Sequence, residues 1–173
     1  MPEDEYVVTN AKEFSYNGVF SFKDFYDLLG SFLKERGYDK YEKRHEVKEF
    51  ADGKTYEFLV LPEKKVTDSE AFTLEIVIVG KGLKPIEVPI DGKKKTIDQG
   101  SLYFYIRAVM YTNKDSRWED KKNPEKFTIW RWVADNIVFR GEREKLVQQA
   151  KKDIDELYDI LTNYLNMHSS KRY

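Results

Sequence analysis

Cysteine is absent from this 173-residue chain. Its absence excludes disulfide bonds, thiolate nucleophiles, iron–sulfur clusters and zinc sites with Cys ligands. Histidine is scarce, with only His45 and His168. A Ser-His-Asp triad would depend on His45, which lies within a predicted strand, whereas a general base usually lies in a loop or at a strand end. We therefore interpret His45 as a half-buried strand residue opposite Val60.

Motifs for phosphate, metal and acyl-transfer chemistry are also missing. The sequence has no G-x-S-x-G and no H-E-x-x-H pattern,. The segment Gly80-Lys81-Gly82 lacks the spacing and the following helix of a phosphate-binding loop, so it is better explained as a turn that ends a strand. The sequence thus predicts no cofactor and no metal, and it argues against catalysis without excluding it.

Long apolar runs and an excess of one charge are lacking as well. No stretch approaches the roughly 18–20 apolar residues of a membrane-spanning helix, and the first part of the chain, acidic at Glu3–Glu5, shows no secretory signal. The 30 basic residues are balanced by 31 acidic ones. The lysine runs at 64–65, 93–95 and 121–122 fall at predicted turns, where they keep the chain solvated. We predict a soluble cytoplasmic protein and argue against nucleic-acid binding.

Aromatic residues, in contrast, are abundant. They make up 15% of the chain, within an apolar content of 40%. This composition favours a packed core over disorder, and the length suits one domain. We assign residues 1–168 to a single domain and 169–173 to a frayed tail.

Two amphipathic helices are predicted, one on each side of a strand-rich segment. The first covers 21–36, with Ser21 as its N-cap and Gly37 as its stop signal. A short strand at 5–9 and a turn at Asn17-Gly18 precede it. The second helix covers 142–166, where apolar residues repeat at intervals of three and four: Leu146, Ala150, Ile154, Leu157, Leu161 and Tyr164,.

Between these helices, residues 41–112 alternate in the manner of β-strands. Asp52-Gly53 is typical of a two-residue hairpin turn, which would place Val47 opposite Phe58 and Lys48 opposite Glu57. The corresponding turn at Asp91-Gly92 would pair Ile86 with Ile97. We expect the glycines at 80, 82 and 100 to interrupt the later strands.

Residues 113–123 form a predicted polar loop around Trp118. A tryptophan in such a loop can anchor a protein partner, although insertion of the ring into the core is the commoner outcome. Residues 124–140 fit a helix that begins at Pro124, with a strand as the alternative.

This order of elements predicts an α+β fold in which an antiparallel sheet of five or six strands packs on the long C-terminal helix. The order resembles the helix-grip (START-like) arrangement, in which a curved sheet wraps a long C-terminal helix over an apolar cavity. The resemblance lies in topology and is carried by no sequence motif. Five residues are expected to be buried together in the core: Phe58, Ile76, Phe104, Leu157 and Leu161.

The best candidate site is the second face of the predicted sheet. Alternation places five residues there: Glu57, Glu75, Tyr103, Tyr105 and Arg107. Two carboxylates beside an arginine could hold a polar ligand. The alternative, which the sequence favours, is a solvated face with cross-strand ion pairs.

These patterns predict a non-catalytic binding or adaptor domain for an apolar small molecule or a protein partner. One alternative is an enzyme with a Glu/Tyr/Arg site on the sheet face. The other is a structural subunit that dimerises, which would need an exposed apolar stripe on a helix. The sequence does not define an oligomeric state.

Overall fold

A computed structural model of the protein describes residues 4–7, 9–39, 42–67, 70–112 and 140–170. These ranges contain seven strands and two helices. The strands are β1 (Asp4–Val7), β2 (Lys12–Phe20), β3 (Glu42–Phe50), β4 (Gly53–Val60), β5 (Glu63–Thr67), β6 (Glu70–Ile90) and β7 (Lys93–Thr112), and the helices are α1 (Phe22–Glu35) and α2 (Arg140–Ser170). The predicted loop at 113–123 with Trp118, the predicted helix at 124–140 except for its last residue, and residues 171–173 lie outside the described residues.

The seven strands form one antiparallel sheet in the order β1-β7-β6-β4-β3. Strand β2 also pairs with β7, and β5 also pairs with β6. Because β6 and β7 pair with each other along their length, β1 and β2 share the remaining edge of β7, and β4 and β5 share the remaining edge of β6. The described sheet is therefore five strands wide. The predicted α+β class, with the sheet packed on a long C-terminal helix, is confirmed.

Both helices pack on one side of the sheet, which we call the inner face. The five residues predicted for the core are all buried and belong to one cluster. The α2 stripe also follows the prediction: Ala150, Ile154, Leu157 and Leu161 are buried, and Leu146 and Tyr164 are partly buried against the core. The opposite side of the sheet is called the outer face below.

The two Asp-Gly sequences behave differently. At Asp91-Gly92 both residues have positive φ, 51° and 74°, and Ile86 lies opposite Ile97 as predicted. The register predicted for the other hairpin is wrong, because its turn is Ala51-Asp52 and Gly53 is already the first residue of β4. Val47 consequently lies opposite Tyr56, and His45 lies opposite Phe58. The shift is by two residues along β4, so every side chain keeps its predicted face.

The glycines at 80, 82 and 100 do not interrupt the strands. Both β6 and β7 continue through them, with an irregular register between Lys81 and Lys84. At Gly100 a Cβ would lie 2.7 Å from Leu83 Cδ2, and at Gly80 it would lie 2.9 Å from Leu83 Cδ1. The missing side chains therefore leave room for the buried Leu83 at this bulge,.

The predicted turn at Asn17-Gly18 is also absent, because β2 runs straight through it. A Cβ on Gly18 would approach the Tyr16 hydroxyl oxygen to 2.8 Å. Tyr16 folds over this glycine and donates its hydroxyl to the carbonyl of Val19 at 3.0 Å. Gly18 thus accommodates a neighbouring ring within a strand rather than a change of chain direction.

Helix α1 begins as the sequence predicts. The Ser21 hydroxyl accepts the Asp24 amide at 3.1 Å. The Ser21 amide donates to the Tyr164 hydroxyl at 3.3 Å, and the Phe22 amide donates to Asp98 Oδ2 at 3.1 Å. Tyr164 of α2 therefore bonds the N-cap amide that the third helical residue bonds in a capping box, and Asp98 of β7 bonds the first amide of the helix,.

The C-terminal end of α1 has both bonds of a Schellman motif. Gly37 has a φ of 77°, and its amide donates to the carbonyl of Lys34 at 3.1 Å. The Tyr38 amide donates to the carbonyl of Leu33 at 2.9 Å. This ending turns Tyr38 into the core, where it is buried,.

Candidate functional site

Two of the five predicted site residues form an ion pair on the outer face. Glu75 and Arg107 lie opposite each other on β6 and β7. Arg107 Nε contacts Glu75 Oε2, and the two side chains are 30% and 23% exposed, respectively. The charge of each partner is therefore compensated locally, as in the cross-strand pairing that the sequence favours.

Glu57 lies at a distance from this pair. It is opposite Val79 on β6 and opposite Glu46 on β3. Val79 is four residues from Glu75 along β6, which corresponds to about 13 Å of strand. The predicted placement of Lys48 opposite Glu57 is wrong, because Lys48 is opposite Thr55 and its Nζ lies 3.1 Å from Glu46 Oε2.

The two tyrosines of the predicted site precede Arg107 along β7 and share its face. Tyr105 is opposite Val77, and Tyr103 is opposite Val79. The Tyr103 hydroxyl donates to Glu13 Oε2 at 2.8 Å. This hydrogen bond raises the pKa of Tyr103, with smaller contributions from desolvation and from the charge of Glu13. The five predicted residues thus share a face, as expected, but they extend along it and do not converge on one point.

An open groove of about 490 Å³ crosses the outer face beside Tyr103. It spans β2, β7 and β6 and is lined by Ser15, Tyr16, Asn17, Val79, Lys81, Ser101, Leu102 and Tyr103. The serine hydroxyls, the Asn17 amide and the Lys81 ammonium group therefore lie around the Tyr103 ring. Next to the groove, Leu59 and Val77 lie opposite each other on the same face and are half-buried.

The structure also contains a buried polar cluster that the sequence analysis missed. The Asp153 side chain on α2 is 1% exposed. Its carboxylate accepts the Tyr38 hydroxyl at 2.9 Å and the Gln149 amide at 2.9 Å, and Arg36 Nη1 lies 3.7 Å away. Arg36 also pairs with Glu156. Together these contacts join the end of α1 to α2.

A signal for this cluster is present in the sequence. Asp153 lies three residues after Ala150 and four before Leu157, so helical periodicity places it on the buried stripe. Burial raises the pKa of Tyr38, and the charge and the hydrogen bond of Asp153 raise it further. The hydroxyl therefore stays protonated and keeps its role as a donor to Asp153.

His45 lies on β3 and is exposed rather than half-buried. Its ring centroid is 4.1 Å from that of Phe58. The candidate base thus packs against the core aromatic residue opposite it.

No group of three or more metal-ligating side chains occurs among the described residues. No helix in the described part of the chain is long and apolar enough to cross a membrane. In comparisons with known proteins, no protein-family model matches the chain, and no curated protein shows significant sequence similarity to it.

Proposed function

We propose that the protein is a non-catalytic binding domain that takes a protein partner on the outer face of its sheet. The observation that carries this proposal is the combination of half-buried Leu59, Val77 and Val79 with the neighbouring Tyr103 groove. Protein interfaces commonly have an apolar and aromatic centre with a polar rim. Glu13 and Lys81 supply charged groups at this rim.

An apolar small molecule beneath α2 is less well supported, because aromatic rings occupy that part of the core. Phe14 stacks on Phe104 with centroids 5.1 Å apart, and Tyr158 of α2 meets Phe14 edge-on at 5.6 Å. Phe25 of α1 contacts both phenylalanine rings, at 6.5 Å and 6.1 Å. A ligand at this position would have to displace close-packed rings.

An enzyme site built on the predicted Glu, Tyr and Arg residues is also less well supported. Catalytic groups must meet around one reacting atom. Glu57 is opposite Val79, which is four residues from Glu75 along β6, so the two carboxylates are not on neighbouring positions of the sheet. Arg107 is already engaged with Glu75.

The lack of cysteine agrees with the proposed cytoplasmic setting, where disulfides are rare,.

Native mass spectrometry of the tagged protein, purified from its source, tests this proposal. The first variant is Val77→Lys, which places a charge beside Leu59 and Val79 on the outer face. The second is Lys95→Glu, which changes an exposed strand residue near the Asp91-Gly92 turn. We expect a defined complex with one second polypeptide for the wild type and for Lys95→Glu, and loss of that complex for Val77→Lys. The identified polypeptide, once purified, should show the same order of affinities.

Two results would contradict the proposal. One is a bound small molecule without a second polypeptide. The other is a complex that Val77→Lys leaves unchanged. Thermal melting of both variants establishes that the comparison is made between folded proteins.

A further inference from the structure

Strand β3 is an open edge of the described sheet. It pairs with β4 on one side, and no described strand lies on its other side. Phe50 and Gly53 flank a two-residue turn, which is the position of a hydrogen-bonded pair in such a hairpin,. Even-numbered residues of β3 therefore bond to β4. The amide and carbonyl groups of His45, Val47 and Glu49 consequently point to the open edge.

The regular part of this edge has defined limits. The β3–β4 register is irregular between Glu42 and Arg44, and the chain turns at Ala51. Seven residues, Arg44–Phe50, thus form a continuous edge with Val47 at its centre. If a second copy aligns this whole stretch in the antiparallel direction, Val47 meets Val47 and Arg44 meets Phe50.

This alignment is complementary in charge. On the outer face, Glu46 of one copy lies opposite Lys48 of the other, and symmetry repeats the pair. Glu46 already binds cations of its own strand, since Arg44 Nε and Lys48 Nζ each lie 3.1 Å from its carboxylate oxygens. Two alternative registers are displaced by two residues: in one, Glu46 would face itself and Arg44 would face Lys48, and in the other, Lys48 would face itself. Like charges directly opposite each other disfavour both alternatives.

The alignment also brings together the exposed apolar side chains of this edge. Val47 is 46% exposed on the inner face, and Phe50 is 57% exposed on the outer face. Across the two-fold axis the two Val47 side chains would cover each other. The Arg44 guanidinium would lie beside the Phe50 ring of the second copy, where a cation–π contact can form.

We propose that β3 is a homodimerisation edge, in which Arg44–Phe50 of two copies pair in the antiparallel direction around Val47 and join two sheets into one. The occupant is a second copy of this chain, because the charge order of the strand complements itself in this register. This surface is distinct from the outer-face site proposed for a protein partner. Paired edge strands are a common way of building symmetric dimers, and the charges select the register.

Sedimentation velocity of the full chain over a range of concentrations tests the backbone pairing. We expect a reversible dimer for the wild type and a monomer for Val47→Pro, since proline removes the central outward amide while its ring is tolerated at a sheet edge. Val47→Thr keeps that amide and the strand preference, so it should still dimerise. A wild-type protein that remains monomeric throughout, or a dimer that Val47→Pro does not weaken, would overturn the proposal.

Charge exchange tests the register and does not depend on proline. Glu46→Lys and Lys48→Glu should each raise the dimer Kd by about tenfold or more, because each creates two pairs of like charges across the axis. An equimolar mixture of the two variants should recover a dimer, now between unlike copies. Failure of the mixture to associate better than either variant alone would refute this register, while circular-dichroism melting verifies that each variant is folded.

Discussion

Gly53 combines an unusual backbone angle with a close approach between strands. Its φ is 128°, and a Cβ there would lie 2.7 Å from the backbone carbon of Gly82. We predict that Gly53→Val lowers the free energy of unfolding by about 1–3 kcal/mol, since both strain and overlap oppose the branched side chain. Urea denaturation measures the change. The control is Gly92→Asn, at a φ of 74° with no close neighbour, which should cost far less,.

Tyr38 provides a prediction about alkaline stability. Its pKa is raised in the folded protein, primarily by burial, so above about pH 10 the unfolded chain loses this proton and the folded chain retains it,. The contribution of Tyr38 to the free energy of unfolding is therefore fully present below pH 10. It is lost as the pH rises further, at up to about 1.4 kcal/mol per pH unit. Stability curves should therefore fall less steeply above pH 10 for Tyr38→Phe than for the wild type. Equal slopes would show that Tyr38 ionises alike in both states.

The same substitution should matter at neutral pH. Tyr38→Phe removes a hydrogen bond to the buried Asp153 carboxylate. We expect a loss of about 1–3 kcal/mol in the free energy of unfolding at pH 7. Tyr103→Phe is the matched control, because its hydroxyl bonds to Glu13 at an exposed site and should contribute less. Denaturant titrations of the two variants compare the two losses. Equal losses would contradict the prediction that the buried hydrogen bond contributes more to stability than the exposed one.

The Glu75–Arg107 pair separates a stabilising role from a ligand-binding role. Arg107→Ala leaves a half-buried Glu75 without its cross-strand partner, so we predict a lower melting temperature and unchanged binding of any co-purified molecule,. A double-mutant cycle with Glu75→Ala should give a coupling energy of about 0.5–1 kcal/mol. The opposite pattern, unchanged stability with loss of a bound molecule, would support a ligand site.

Individual elements differ in how much of them could be predicted from the sequence. Helix α1 and the stripe of α2 were predictable because caps and periodicity are local signals. The register beside Asp52 was not, since a one-position change in the turn depends on how Gly53 packs against Gly82, a contact between paired strands that are far apart in the sequence. The glycines of β6 and β7 were misinterpreted for the same reason. Only the assembled sheet shows that Gly80 and Gly100 leave room for Leu83.

For the candidate site, the sequence predicts which face of the sheet the residues occupy but not how far apart they lie. Alternation correctly placed Glu57, Glu75 and Arg107 on one face, because a period of two is a property of the strand itself. It could not give their separation, which depends on pairing between strands. The Asp153 cluster was missed for another reason. The predicted stripe of α2 contains only apolar residues and Tyr164, although helical periodicity also places the buried Asp153 on it,.

Helix α2 provides the clearest test of the helix-on-sheet arrangement. Leu157 is fully buried in the cluster that contains Ile76 and Phe104. We predict that Leu157→Ala lowers the free energy of unfolding by about 2–5 kcal/mol, through lost burial and the cavity that remains. Ile160→Ala, at a position 37% exposed on the same helix, should cost much less. Similar costs for the two variants in urea titration would contradict the packing of α2.

Across the whole molecule, hydrogen-bonding position should determine amide exchange. Strands β6 and β7 are paired on both sides over much of their length, so their amides should be the slowest to exchange within the sheet,. In dilute protein the β3 amides should alternate, slow at Glu46 and Lys48 and fast at Val47 and Glu49, because only the first two face β4. At high concentration the fast amides should become protected through pairing with a second copy. NMR-detected exchange at two concentrations resolves individual amides, and uniform exchange along β3 at both would contradict the edge geometry.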